Sequence, residues 1–144
     1  MSYDISIKDE DGQVLEAEAP HHIRGGTYAV GGTTVLHLNI TYNYVEHFCA
    51  VLGDEGIRSI YGKKVADTIP TLTAAIQALE GMPEPELEPH CVNAGEALFG
   101  KEEPRYEPWD PSDYWAPTVA NAKRALQDLV SLGLQGLSGY WDGD

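Results

Sequence analysis

The spacing of apolar residues changes its period within the stretch Thr33 to Leu52. Up to Thr41, apolar and polar positions come close to alternating, which is the two-residue period of a half-buried strand. Beyond that point the apolar positions recur at the spacings of four, three and one that an amphipathic helix requires. These helical positions are Tyr44, Phe48, Val51 and Leu52. The stretch therefore predicts a strand that passes directly into a helix, and Gly53 is expected to end that helix.

The predicted junction between strand and helix is crowded with polar side chains. In a strand, His37, Asn39 and Thr41 share one face. Asn43 is a good N-cap, and Glu46 three residues later can complete a capping box. The polar row then points toward a helix N-terminus, where unpaired N–H groups favour an anion or a hydrogen-bonding ligand. Alternatively, these short polar side chains only satisfy backbone groups around a tight turn.

The N-terminal third of the chain carries the other strand patterns. Ser2 to Lys8 alternates as a first strand, turn residues follow it, and Gln13 to Ala19 is its expected hairpin partner. Thr27 to Val30 is expected to form a short strand that a tight hairpin joins to the strand from Thr33.

Two further helices are predicted in the remainder of the chain. One covers Ile69 to Glu80 with Thr68 as its cap, and Val65 to Asp67 can add a preceding turn to it. The other covers Val119 to Leu132 with Thr118 as its cap. We therefore expect one α+β domain over residues 1–144. Its N-terminal antiparallel sheet of three to five strands is packed by about three helices.

The segment Met82 to Asp113 differs in composition from its surroundings. Its nine acidic residues against two basic ones supply half of the net charge of the chain. Repeated prolines exclude a regular helix across its flanks. We expect an extended excursion over the surface, ordered in part by Phe99, Tyr106 and Trp109. A disordered linker is the alternative interpretation.

The end of the chain is rich in glycine and places Tyr140 and Trp141 ahead of Asp142 and Asp144. An aromatic pair in a short polar tail docks on the protein's own core or on a partner, and we expect the former. The two carboxylates are a weak signal for a hard cation, because calcium takes six or more oxygen ligands. No metal site is predicted.

Charge restricts the partners of the protein. The chain has 9 Lys and Arg against 23 Asp and Glu, a formal net charge of −14. Such a chain repels phosphate backbones, so direct binding of nucleic acid is not expected. Solubility, a basic protein partner and mimicry of nucleic acid remain as explanations. Neither a membrane-spanning apolar run nor a signal peptide is present, so a cytoplasmic location is expected.

No sequence motif of an enzyme is present. The chain lacks G-x-S-x-G, a Walker loop, H-E-x-x-H, C-x-x-C and a dinucleotide fingerprint. We therefore predict a protein that is not an enzyme, with no catalytic residue and no cofactor. A weak hydrolase that uses His37 or His47 is the least favoured interpretation. The two cysteines, Cys49 and Cys91, are expected to be reduced thiols.

Positive charge is concentrated in the loop that follows the central helix, at Arg58, Lys63 and Lys64. If this loop lies near the junction, a small site for an anionic ligand results, with Trp115 as a stacking surface. His47 lies four residues after Asn43 and can also reach the junction. The predicted ligand-binding residues are Asn39, Thr41, Asn43, His47, Arg58, Lys63 and Trp115. The alternative is that the basic residues are scattered solubilising charges.

Several stretches resemble a family of small proteins carried by bacteriophages and actinobacterial genomes. They are HIRGGTYAVGGTT, LNITYNY, GIRSIYG, IPTLTAAI, DYWAPTVANAKRAL and the terminal WDGD. The resemblance covers most of the chain and departs from it between Met82 and Pro111, where a shorter loop is enlarged. It implies a phage or prophage setting, hence the host cytoplasm. Members of the family keep an asparagine and threonine pattern like Asn39, Thr41 and Asn43, which favours a ligand site there. It transfers no catalytic residue.

Two functions of different classes follow as expectations. The first is a phage-type accessory protein that binds a small polar or nucleotide-like ligand at the junction without catalysis and sequesters a host defence signal. The second is an acidic protein that inhibits a basic, nucleic-acid-binding host defence protein through the segment Met82 to Asp113. A homo-oligomer is compatible with both.

Overall fold

Four short strands precede the first helix in the described part of the chain, and helices and short strands follow. The computed structural model describes residues 2–23 and 32–144. The strands in these residues are β1 (Ser2–Lys8), β2 (Glu16–His21), β3 (Thr33–Val35), β4 (His37–Thr41), β5 (His90–Cys91), β6 (Tyr106–Glu107) and β7 (Tyr140–Gly143). The α-helices are α1 (Val45–Leu52), α2 (Val65–Glu80), α3 (Ala94–Leu98) and α4 (Val119–Leu134). Two 3-10 turns, Tyr42–Tyr44 and Gly56–Ile60, flank α1.

Alternation in β1 sets the two faces of the central sheet. β1 pairs antiparallel with β4 on one side and with β7 on the other, which gives the order β4-β1-β7. Tyr3 and Ile5 are buried together with the residues directly opposite them, Ile40 and Leu38. Opposed residues of antiparallel strands project to the same side, so these four side chains form one apolar face. This face packs onto the helices. The other face carries Ser2, Asp4, Ser6, His37, Asn39 and Thr41, so the polar row of β4 lies on one face, as predicted.

The single strand predicted from Thr33 to Thr41 is interrupted at Leu36. The Leu36 side chain is buried, its N–H donates to the Leu15 carbonyl at 3.0 Å, and its carbonyl accepts from Ile7 N–H at 3.1 Å. Before this residue β3 pairs with β2, and after it β4 pairs with β1. The prediction of one continuous strand was wrong because the chain changes sheets at Leu36.

The turn after β1 forms, but β2 is not its neighbour in the central sheet. Asp9 N–H donates to the Gln13 carbonyl at 2.9 Å, and Leu15 N–H donates to the Ile7 carbonyl at 2.8 Å. β2 then leaves β1 and pairs with β3 in a separate two-stranded sheet. The hairpin prediction is therefore correct for the turn and for the pairing of Val14 with Lys8, and wrong from Glu16 onward. The strand predicted at Thr27 to Val30 lies outside the described residues.

Three helices cover the apolar face of the central sheet, and the α+β fold class is confirmed. α2 begins at Val65 rather than at Ile69, so Thr68 lies inside the helix, where its hydroxyl donates to the Val65 carbonyl at 2.8 Å. α4 begins as predicted, and the Thr118 hydroxyl accepts the N–H of Asn121 at 3.0 Å. No helix in residues 2–23 and 32–144 combines the length and apolar character needed to cross a membrane.

α4 approaches α2 and β7 closely at Gly133. A Cβ at this position would lie 3.1 Å from side-chain atoms of Val65, Ile69 and Trp141, so glycine permits this approach. Trp141 is buried against the core, while Tyr140 is half-buried. The aromatic tail therefore docks on the protein's own core, as expected.

The segment Met82 to Asp113 follows a defined path in which β5, α3 and β6 are the regular elements. Its first part is held by Glu84, whose carboxylate accepts the N–H groups of Val119 and Ala120 at 2.5 and 3.2 Å. These two N–H groups belong to the first turn of α4, where a carboxylate is favoured by the helix dipole. The N-terminus of α4 therefore anchors this segment.

The aromatic residues expected to order the segment behave differently from one another. Trp109 stacks on His90, with ring centroids 3.7 Å apart and ring planes 11° apart. Phe99 and Tyr106 are mostly exposed. The prediction that Phe99 and Tyr106 help to order the segment was therefore wrong, since neither side chain is buried against the rest of the protein.

Candidate functional site

Asn43 does not cap the central helix. It lies inside a 3-10 turn, where its N–H donates to Thr41 Oγ1 at 3.2 Å, so Thr41 is the residue that caps. α1 follows with Tyr44 at its N-cap and no capping hydrogen bond from a side chain, so Asn43 and Glu46 form no capping box. The Asn43 amide instead donates to the Trp115 carbonyl at 2.8 Å. The predicted cap was wrong because a 3-10 turn separates strand from helix.

The junction is tied to the segment that precedes α4. His47 donates through Nε2 to the Pro117 carbonyl at 2.7 Å, and the Tyr44 hydroxyl donates to the Tyr114 carbonyl. Burial raises the pKa of Tyr44 to about 12, so its hydroxyl keeps its proton at physiological pH. Together with the bond from Asn43, these contacts bring three predicted site residues together: Asn43, His47 and Trp115.

A groove opens between this junction and the segment Met82 to Asp113. It consists of two adjoining cavities of about 480 and 340 Å³, and both are lined by Asn43 and Trp109. We call them together the junction groove. The larger cavity is also lined by Glu46, His47, Pro85, Glu86, Leu87, Glu88 and Pro117. The smaller one is also lined by His90, Cys91, Val92, Asp113 and Trp115.

Aromatic rings form part of the walls of the junction groove. Trp109 is backed by the stacked ring of His90, which fixes its plane. Trp115 is 39% exposed, and its ring centroid lies 5.0 Å from that of Tyr114. The Nδ1 atom of His90 is buried and has no hydrogen-bond partner among the described residues. The groove therefore offers flat apolar surfaces.

The charge of the junction groove is negative. Glu46, Glu86, Glu88 and Asp113 contribute to its lining, whereas no Lys or Arg among the described residues does. Carboxylates and aromatic faces are the groups that attract a cation. The groove is therefore suited to a cationic ligand, rather than to the anionic ligand expected from the sequence.

Asn39 and Thr41 lie in the sheet and outside the junction groove. The Asn39 amide donates to Ser2 Oγ and to Asp4 Oδ1, each at 2.7 Å, and so links β4 to β1. Thr41 is buried, and its hydroxyl supports the 3-10 turn. Thr41 therefore makes the backbone contact at the turn that the alternative interpretation describes, whereas Asn39 bonds to side chains of the neighbouring strand.

The structure does not bring Arg58 and Lys63 to the groove. Arg58 donates to the Asp144 carbonyl at 3.0 Å and to the Tyr42 hydroxyl at 3.1 Å, and its guanidinium lies 5.1 Å from the ring centroid of Tyr3. Lys63 is exposed, and its backbone carbonyl accepts the N–H of Trp141 at 3.0 Å. The basic loop therefore holds β7 in place.

One polar cluster on the central sheet has a composition that resembles a catalytic triad. Ser6 Oγ and His37 Nδ1 are 3.1 Å apart, and His37 Nε2 lies 3.7 Å from Asp4 Oδ1. The second distance is too long for the hydrogen bond that would orient the imidazole. Within the described residues, no group of three or more His, Cys, Asp and Glu is arranged to hold a metal ion.

Sequence reasoning missed the half of the groove that the acidic segment supplies. Trp109, His90, Glu86 and Glu88 are far from Asn43 in the sequence, and no local pattern connects them to it. The composition of the segment was the available signal, since it combines nine acidic residues with Trp109. Its position beside α1 is set by contacts between residues that are far apart in the sequence.

Comparison with known proteins gives no relative, since no protein-family model, no curated protein and no solved structure matches this chain.

Proposed function

We propose that this chain is a binding protein without catalysis and that its target is a basic protein, one arginine of which enters the junction groove. The observation that carries this proposal is the lining of the groove, where the stacked Trp109 lies beside the carboxylates Glu46, Glu86 and Glu88. This is the second of the two functions expected from the sequence, with the junction groove as its binding site.

An arginine side chain matches both properties of the groove. Its guanidinium is planar and stacks on aromatic faces, and its donors pair with carboxylates in a bidentate manner. A lysine ammonium is a more strongly hydrated point charge and gains less from a flat wall. Arginine is therefore the favoured group for the surface formed by Trp109, Glu86 and Glu88.

The charge of the whole chain supports a basic target. The net charge is −14, and the segment from Met82 to Asp113, which carries half of it, forms one side of the groove. A field of one sign around a cleft raises the local concentration of oppositely charged partners and their association rate. A basic protein would thus be drawn to the side of the molecule that holds the groove.

The nucleotide-like ligand expected from the sequence gains less support. Its phosphate would need positive charge, and the predicted sources, Arg58 and Lys63, hold β7 or face solvent. The phage setting and the host cytoplasm come from the resemblance alone. We include them in the proposal as the context in which a basic host protein would be the target.

The test uses the three indole N–H signals in an NMR spectrum of the ¹⁵N-labelled protein. Trp109 and Trp115 line the groove, whereas Trp141 is buried and donates to Thr68, so its signal is an internal reference. A short blocked peptide with two arginines should shift the signals of Trp109 and Trp115 and leave that of Trp141 in place. The matching lysine peptide should bind more weakly.

A pair of charge variants separates the groove from general attraction. Glu86→Gln with Glu88→Gln should weaken arginine-peptide binding up to about thirtyfold, since two exposed charge pairs contribute up to about 1 kcal/mol each. Glu18→Gln with Glu55→Gln makes the same charge change at exposed positions elsewhere and should have little effect. Equal weakening by both pairs would refute a specific site. Groove signals that respond to adenosine monophosphate and not to the peptide would favour the nucleotide-like ligand instead.

A further inference from the structure

Large apolar side chains point into solvent at the far end of the acidic segment. Leu98 is 81% exposed, Phe99 is 77% exposed and Tyr106 is 66% exposed. Single exposed apolar residues are common and need no explanation. Three large ones within nine positions are a group of the kind that marks an interaction site. We call these three residues the apolar tip. None of the three belongs to the hydrophobic core formed by residues 2–23 and 32–144.

The apolar tip is mounted on a hydrogen-bonded framework. Asn93 is buried, and its amide donates to Glu102 Oε2 at 3.1 Å and to the Glu103 carbonyl at 2.8 Å. Its side-chain oxygen accepts the N–H of Arg105 at 2.8 Å, and β5 pairs with β6 beside it. The three side chains are therefore presented by a preorganised scaffold, which lowers the entropy lost on binding.

One residue of the tip, Tyr106, lies beside the junction groove. Tyr106 lies directly opposite Cys91 in the β5–β6 pair, so both side chains project to the same side of this ribbon. Cys91 and Val92 line the smaller cavity of the groove. A partner that fills the groove would therefore extend onto Tyr106.

The surroundings of the tip decide what can cover it. Four carboxylates lie within the same short stretch of chain: Glu96, Glu102, Glu103 and Glu107. A second copy of the protein would bring these carboxylates toward their equivalents and add the repulsion of two chains of −14 each. A surface with basic residues around an apolar pocket is complementary to both features.

We propose that the apolar tip is the hydrophobic anchor for the same basic protein partner, with Leu98 and Phe99 entering an apolar pocket rimmed by Lys and Arg. This inference rests on the proposed function and adds a second contact to it. Interfaces of this kind have an apolar centre and a charged rim. In this protein the tip supplies the centre, and the surrounding glutamates supply the rim.

The test measures fluorescence anisotropy with two labelled helical peptides of equal positive charge. One carries arginines along one face and leucines along the other, and its control has serines in place of the leucines. The leucine peptide should bind at least about tenfold more tightly, as expected when apolar anchors are buried. Its advantage should persist at high salt, because screening weakens only the charge attraction.

Variants assign that advantage to the tip. Leu98→Ser with Phe99→Ser should remove the difference between the two peptides, whereas Leu134→Ser with Leu137→Ser, which changes two other exposed leucines, should retain it. A difference that survives the tip variant would overturn the inference. So would a concentration-dependent dimer, seen by sedimentation, that the tip variant abolishes, since the second copy would then be the occupant.

The experiments can refute the groove proposal and the hydrophobic anchor independently of each other. Glu86→Gln with Glu88→Gln should weaken both peptides by the same factor and leave their ratio unchanged. If this variant changes neither affinity while the tip variant removes the ratio, the groove proposal fails and the hydrophobic anchor stands. If the ratio is one in the parent protein, the anchor fails whatever the groove does.

Discussion

Replacing Thr68 by valine removes a buried hydrogen-bond acceptor with almost no change in side-chain volume. Trp141 Nε1 donates to Thr68 Oγ1 at 2.7 Å, and the two residues are only 1% and 3% exposed. Water cannot easily reach this depth, so the indole N–H of the variant stays buried without a partner. Such a group costs about 1–3 kcal/mol. We therefore expect the free energy of unfolding to fall by about 2 kcal/mol.

Thermal and urea unfolding followed by circular dichroism measure this loss. For a chain of this size, each kcal/mol lost from the free energy of unfolding lowers the melting temperature by about 2–4 °C. Thr68→Val should therefore melt about 4–8 °C below the parent protein. The hydrogen exchange of the Trp141 indole should also accelerate, because the bond that protects it is absent. These readouts report how firmly β7 is held against α2.

Two controls identify the acceptor as the cause. Thr68→Ser keeps the hydroxyl and loses one methyl group, so it should cost only about 1 kcal/mol. Thr73→Val makes the same chemical change at an exposed position of α2 and should stay within about 0.5 kcal/mol of the parent protein. If Thr68→Val is as stable as Thr73→Val, the bond between Trp141 and Thr68 does not anchor the C-terminal strand.

Two further predictions concern the elements around the groove. Burial raises the pKa of Tyr44 to about 12 from an ordinary value of 10.0. Since the unfolded chain loses this proton first, Tyr44 should contribute a fall in the free energy of unfolding of up to about 1.4 kcal/mol per pH unit from pH 10 toward pH 12. The same slope in Tyr44→Phe would contradict this assignment. Glu84→Ala should lower the free energy of unfolding by about 1 kcal/mol and speed amide exchange at Val119 and Ala120, since the carboxylate caps α4. Glu86→Ala should do neither, and equal effects of both variants would refute a specific cap.

Elements whose signals are local were predicted well. β1 extends over the residues that alternate, α1 ends just before the glycine expected to stop it, and α4 begins just after the threonine expected to cap it. In each case the pattern acts within a few residues, either through one apolar face or through one hydrogen bond to the backbone. Such patterns predict the same local structure wherever the element lies in the fold.

The junction shows how a local pattern can mislead. Asn43 followed by Glu46 fits a capping box, yet Thr41 caps a 3-10 turn and the Asn43 side chain bonds to the Trp115 carbonyl. Both arrangements satisfy the backbone locally. The choice between them came from a partner 72 residues away, because the carbonyl of Trp115 needs a donor where α1 meets the segment before α4.

The sequence by itself determined the fold class, the main helices, the two faces of the central strands and the acidic character of the surface. Each of these depends on the periodicity or the composition of the chain. Tertiary structure decided that β7 pairs with β1, that Arg58 holds the end of the chain, and that Trp109 and its neighbouring carboxylates close a groove against Asn43. These features require contacts between residues far apart in the sequence, and such contacts form only when burial of one shared core brings distant segments together.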